Sequence, residues 1–227
     1  MKVNLRSASG AVLMLMIVPV IIGLLACLPV PIGNPERSRI DPEITGVWAI
    51  SDNSEAVFYV FEPFDKRTWL LTGVSLEEGE DADFGDYDLS SYDGLARLME
   101  TESVGDDGAT ATEMVMYKVW MTKLGGVWFM TWEPKGLFGS EQFAPDAWFV
   151  FRVDKPDSNT LVLSFCCDDE FFPDDIKETR RAYERVIKKN AKNPEMYTEE
   201  PWVLRRVADE HIDFFEELAE EVIADSD

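Results

Sequence analysis

The chain has 227 residues, of which 46% are hydrophobic and 12% aromatic, and a net charge of −23 at pH 7. Residues 1–26 hold two of the 21 basic side chains and no acidic one, so the remainder sets 19 basic residues against 44 acidic, a net charge of −25. Such a surface repels phosphate backbones and anionic headgroups, which excludes nucleic acid as a partner and disfavours a domain lying flat on a membrane. Three cysteines and one histidine leave no Cys-x-x-Cys redox motif, no zinc cluster and no disulfide framework joining distant segments.

A start carrying Lys2 and Arg6 precedes an apolar run from Ala11 to Leu25, closed by Ala26 and Cys27. That is the layout of a secretory signal. Leu24-Leu25-Ala26-Cys27 resembles the lipobox of bacterial lipoproteins. The resemblance implies that the Cys27 thiol takes a diacylglyceryl group, that cleavage falls between Ala26 and Cys27, and that the new terminus is acylated again. Two or three acyl chains, at about 0.8 kcal/mol per buried CH₂, make a stable anchor. Leu28 after the cysteine implies sorting to the periplasmic side of an outer membrane, or to the outer face of the plasma membrane in a single-membraned host. An uncleaved span needs about this length, but Pro19 and Gly23 interrupt it; an ordinary signal peptide would leave Cys27 incidental.

Residues 27–42 follow as the lipidated cysteine and a proline-rich tether, with Pro29, Pro31, Pro35 and Pro42. Extended at about 3.1 Å per residue, it would hold the domain roughly 45 Å from the bilayer. Residues 43–227 read as one α+β domain, with a β-meander over 43–170 and a helical section over 171–227. Ile44 to Ile50 opens it. Three hairpins follow, pairing 56–61 with 68–74, 114–122 with 127–132 and 147–153 with 160–165. Gly125-Gly126 supplies turn residues that tolerate positive φ. Seven strands in sequential hairpins predict a curled antiparallel meander or small barrel, because an open sheet exposes its edges. Several strands are apolar on both faces, which predicts one face lining an interior and the other covered.

Between the first two hairpins lies an acidic, glycine-bearing segment, 77–108, with a short amphipathic helix on Tyr92, Leu95, Ala96 and Met99. Its aspartates from Asp81 to Asp88 fail as a calcium loop, since the glycine falls at position 5 and Tyr92 stands where a bidentate glutamate belongs. C-terminally, a helix capped by Asp174 or Asp175 is expected to reach Asn190, with Ile176, Tyr183 and Ile187 as its stripe. A second should start near Pro201 and run to Val222, so that C-terminal helices pack on the sheet.

Gly46-Val47-Trp48 resembles the Gly-x-Trp that opens the first strand of lipocalin-like barrels. The resemblance implies that Trp48 closes the barrel floor beside a basic residue from the last strand. With the lipobox, the whole chain looks like bacterial lipoproteins that carry a small barrel-like domain. No catalytic constellation emerges: His211 stands between Glu210 and Asp213 without a nucleophile, and no Gly-x-Ser-x-Gly, Walker or His-Glu-x-x-His motif occurs. The chain is therefore expected to be non-enzymatic, with no cofactor and no metal. Trp120, Trp128, Trp132 and Trp148 lie on adjacent predicted strands and, with Trp48, are the candidate ligand-binding residues for a hydrophobic small molecule or lipid. A basic protein docking on the acidic face is the alternative partner.

Overall fold

A computed structural model describes residues 27–51, 55–77, 110–138, 148–166, 171–173, 175–198 and 200–207. The strands are β1 (Cys27–Leu28), β2 (Gly46–Ser51), β3 (Glu55–Pro63), β4 (Trp69–Glu77), β5 (Thr110–Leu124), β6 (Val127–Phe138), β7 (Trp148–Asp157), β8 (Thr160–Phe165) and β9 (Trp202–Arg206). Among the described residues one α-helix, α1 (Arg180–Asn190), stands between β8 and β9.

Each strand from β2 to β9 pairs antiparallel with its neighbours in sequence, and β9 returns to β2 through Trp48↔Arg206 and Ala49↔Arg205. The result is a closed up-and-down barrel of eight strands, rather than the seven expected. Closure leaves no unpaired edge among β2 to β9, which is how the meander resolves the hazard its composition poses. The β5–β6 hairpin turns on Gly125 and Gly126 at φ 60° and 89°. Two successive positive φ values are the geometry that matches strand twist, and glycine adopts them without steric cost.

The eighth strand is a correction. Residues 202–206 are not the start of a helix but β9, with Trp202 and Leu204 packed in the interior and Val203 and Arg205 outward. Pro201 reads equally well before a helix or at the start of a strand, and the two-residue alternation that follows decides for the strand. Residues 208–227, with His211, and the acidic segment 78–109 lie outside the described residues. So do Cys167, Asp168, Asp169, Glu170 and Asp174.

The expected C-terminal helices reduce to one among the described residues. It starts later than Asp174 or Asp175 suggest, because Thr179 caps it by accepting from the Ala182 amide at 3.4 Å. Its buried side chains, Tyr183 and Ile187, share a cluster with Leu28, Ile32, Phe129, Val150 and Cys166. Tyr197, in the same cluster, donates its hydroxyl to the Ala191 carbonyl at 2.6 Å, and burial pushes its phenol well above the ordinary range.

The tether reading also gives way. Leu28 and Ile32 are 4% and 0% exposed. The Ile32 carbonyl accepts from Trp120 Nε1 at 2.7 Å and from Thr131 Oγ1 at 2.9 Å. Ser38 Oγ accepts from the Met121 amide at 3.0 Å, while Gly33 bonds Glu184 and Arg180 of α1. Apolar side chains alternating with the prolines attach this segment to the barrel wall, where a linker would remain solvated.

Candidate functional site

The two ends of the barrel differ. At the lower end the β3–β4, β5–β6 and β7–β8 turns gather with the start of β2 and the end of β9. Here Trp48 is 1% exposed and donates Nε1 to the Ile44 carbonyl at 2.7 Å. The Arg206 guanidinium lies over its ring, 4.4 Å from the centroid. That guanidinium also donates to the carbonyls of Thr45, at 2.9 Å, and Glu43. Gly46 makes room for it: a β-carbon there would stand 2.8 Å from Arg206 Nη1. Ile44, Phe61 and Trp69, each 0% exposed, fill the same layer, so this end is sealed.

Above that floor, aromatic rings converge from six strands. Trp132 of β6 holds the centre, with ring centroids at 4.6 Å from Phe151, 5.2 Å from Tyr117, 5.4 Å from Tyr59 and 6.1 Å from Trp202. Phe149 and Phe165 complete the layer, Phe165 meeting Trp202 edge-on at 5.0 Å. Tyr59 and Trp202 stack at 6.0 Å with 16° between their planes. Towards the upper end the lining becomes partly exposed, through Ile50, Val57, Val115 and Trp202.

Trp132 Nε1 is buried and has no hydrogen-bond acceptor among the described residues. A buried orphan donor costs about 1–3 kcal/mol, and N–H···π contact with neighbouring rings recovers only part of it. Every other element of this layer is apolar apart from the hydroxyls of Tyr59 and Tyr117 and the indole N–H of Trp202. The arrangement therefore suits one chemistry, an apolar or flat molecule bearing a hydrogen-bond acceptor.

Of the five candidate tryptophans, only Trp48 and Trp132 lie inside the barrel. Trp120 packs on the outer wall under the Ile32 carbonyl. Trp148 falls on the outward side of β7 by alternation with Phe149, opposite Leu28. Trp128, 47% exposed, lies at the sealed end with Lys123 5.2 Å above its ring. These three do not converge on a cleft. Adjacent strands bring tryptophans together only when they share face and height, and strand prediction alone supplies neither. Of the residues that do converge, Tyr59, Tyr117, Phe149, Phe151 and Phe165 are legible as inward positions once each strand's parity is fixed on its apolar face, whereas Trp202 lies on the strand that the sequence reads as helix.

Among the described residues, no group of three His, Cys, Asp or Glu side chains is placed to hold a metal, and no helix is long and apolar enough to cross a membrane. No family model, curated protein or solved structure matches the chain.

Proposed function

We propose that this is an exported lipoprotein, anchored through acyl chains on Cys27, whose barrel is a non-enzymatic binding domain for a hydrophobic small molecule or lipid. The observation that carries the reading is the orphan indole N–H of Trp132 at the centre of an aromatic layer, below a partly exposed apolar rim. Trp132 occupies the middle of the barrel, so the ligand enters from the upper end and stays shallow. It presents a carbonyl, ether or similar oxygen to Trp132 Nε1 and its apolar part to Tyr59, Tyr117 and Trp202. A net charge of −25 beyond residue 26 favours a neutral ligand over an anionic one.

A second reading, an interaction module that docks a basic protein on its acidic face, is favoured by the dense filling of the lower barrel, where Phe61, Trp69, Leu71, Val119 and Met130 are all 0% exposed. A core so filled needs no cargo to be stable.

Native mass spectrometry of the chain from Leu28 onward, exported without the lipid, separates the two. A copurifying small molecule that is lost on denaturation, and lost in Trp132→Phe, supports the ligand reading. A bare monomer that captures basic proteins from envelope extract at low salt and releases them at high salt supports the other.

A further inference from the structure

We infer that the outer face of α1 is a cationic docking surface and that its occupant is the chain's own C-terminal segment, residues 208–227. Such docking requires neither a ligand nor an anchor. Four observations carry it.

First, α1 presents an unbroken stripe of cations. Arg181, Arg185, Lys188, Lys189 and Lys192 recur at i, i+4, i+7, i+8 and i+11, within about 100° of the helix circumference. All five are exposed, and Tyr183 and Ile187 are buried on the opposite side. The one acid within the helix, Glu184, turns away to accept from the Gly33 amide at 3.0 Å. None of the five cations has an ion-pair partner among the described residues.

Second, the helix itself does not account for the stripe. Lys188 and Lys189 suit a helix C-terminus, but the first turn holds Arg180 and Arg181 and no acid, against the dipole. Arg181 with Arg185, Arg185 with Lys189 and Lys188 with Lys192 are like charges four residues apart, and each pair works against the helix. An anionic segment laid along the stripe offsets that repulsion.

Third, the counter-charge is in the same chain. Beyond residue 26 the described residues hold 18 basic and 16 acidic side chains, a net charge of +2. The others hold 1 and 28, a net charge of −27. Screening over about 8 Å at physiological ionic strength means that distant carboxylates do not cancel the stripe. A segment that bears them must lie on it.

Fourth, one acidic segment departs beside α1. A β-carbon on Gly125 would stand 2.7 Å from the Lys188 carbonyl oxygen and 3.0 Å from Ala191 Cβ, so the C-terminal end of α1 abuts the β5–β6 turn at the sealed end. Val207 leaves β9 at this same end, its amide donating to the Val47 carbonyl at 2.9 Å. The residues that follow it, 208–227, carry nine acidic side chains and no lysine or arginine. This segment measures about 30 Å as a helix and more if extended, against about 15 Å across an eight-stranded barrel and about 17 Å along the stripe. The other long acidic segment, 78–109, departs from the opposite end of the barrel, after β4.

The test uses the full-length protein, mixed as equal parts of light and heavy-nitrogen copies and treated with a carbodiimide, which joins a lysine amine to a carboxylate at salt-bridge distance. The links are mapped by mass spectrometry. Links from Lys188, Lys189 or Lys192 to Glu216, Glu217, Glu220 or Glu221 within one copy, several-fold fewer at about 0.5 M salt than at about 0.02 M, support the inference. Links from these lysines to 78–109 or 168–174 in place of 208–227 overturn it, as do links that join light to heavy copies, which make a second copy the occupant. No links at all overturn it too. Acetylation rates give an independent answer. Glu216→Gln/Glu217→Gln/Glu220→Gln/Glu221→Gln should raise the rate at Lys188, Lys189 and Lys192 several-fold and leave Lys135 unchanged. Rates at the three α1 lysines that match those of the unsubstituted chain refute the docking.

Discussion

Arg206 and Trp48 meet across the seam between the last strand and the first, guanidinium over indole at 4.4 Å, and their backbones are register partners in the same ladder. One contact thus joins chain ends that 158 residues separate, closes the barrel and plugs its floor. Removing the cation in Arg206→Ala sacrifices a cation–π contact of about 0.5–2 kcal/mol and leaves the Thr45 and Glu43 carbonyls without their donor. A loss of about 2–3 kcal/mol in urea unfolding is expected. Arg206→Lys should recover less than half of it, because an ammonium lacks the fork that reaches both carbonyls while lying flat on the ring. Gly46→Ala should mimic the loss by displacing Arg206 Nη1.

The two interior tryptophans should respond differently to phenylalanine. Trp48→Phe deletes the hydrogen bond to the Ile44 carbonyl as well as ring volume, whereas Trp132→Phe deletes volume and an unanswered donor. The expected stability cost is greater at Trp48 by about 1 kcal/mol. Equal costs would mean that Trp132 Nε1 has an acceptor after all.

Docking of the N-terminal segment predicts that Ile32→Ala destabilises by about 2–5 kcal/mol, as for a buried core residue. A solvated linker would give a change within about 0.5 kcal/mol. Limited proteolysis supplies the companion measurement, with residues 28–44 resisting cleavage until the barrel itself unfolds.

One turn and one ion cluster set the expected pH dependence. Amide hydrogen bonds from Arg67 at 2.7 Å and Thr68 at 2.9 Å hold the Asp65 carboxyl below its usual range. A depressed folded pKa stabilises above the unfolded value of about 3.9, and that contribution is lost as pH falls through the folded value. The difference in melting temperature between the unsubstituted chain and Asp65→Ala should therefore be widest near neutrality and narrow below about pH 4.

Lys155 has the opposite sign. Burial works against its charge, but Asp41 and Glu43 outweigh burial and raise its pKa. Its contribution is complete below the unfolded value of about 10.4 and disappears as pH rises through the folded one. The gap between the unsubstituted chain and Lys155→Met should be constant from pH 7 to about 10 and close above that.

Most of the barrel could be read from the sequence because its strands announce themselves by parity. Phe149 and Phe151 against Val150 and Arg152, and Leu161 and Leu163 against Val162 and Ser164, assign inward and outward positions before any partner is known. The floor is half legible: Gly46-Val47-Trp48 marks the tryptophan, but the helix-like start at Pro201 conceals the strand that carries its partner Arg206. Two features defeated sequence reasoning for physical reasons. Proline at 29, 31 and 35 is as compatible with a strap on a sheet wall as with a free linker, and only burial of Leu28 and Ile32 distinguishes them. The aromatic layer depends on stagger between strands, which closure of the barrel sets and local pattern does not.

The bonds to the Ile32 carbonyl come from residues 88 and 99 positions further along the chain, and the Arg206 side chain reaches the Thr45 carbonyl over 161. The first residues of the domain to be made are therefore among the last to find their places. Until β5 and β6 exist, Ile32 has no surface to dock on, and until β9 exists, β2 has an open edge. Such long-range closure makes folding slow and leaves an aggregation-prone intermediate in the interval.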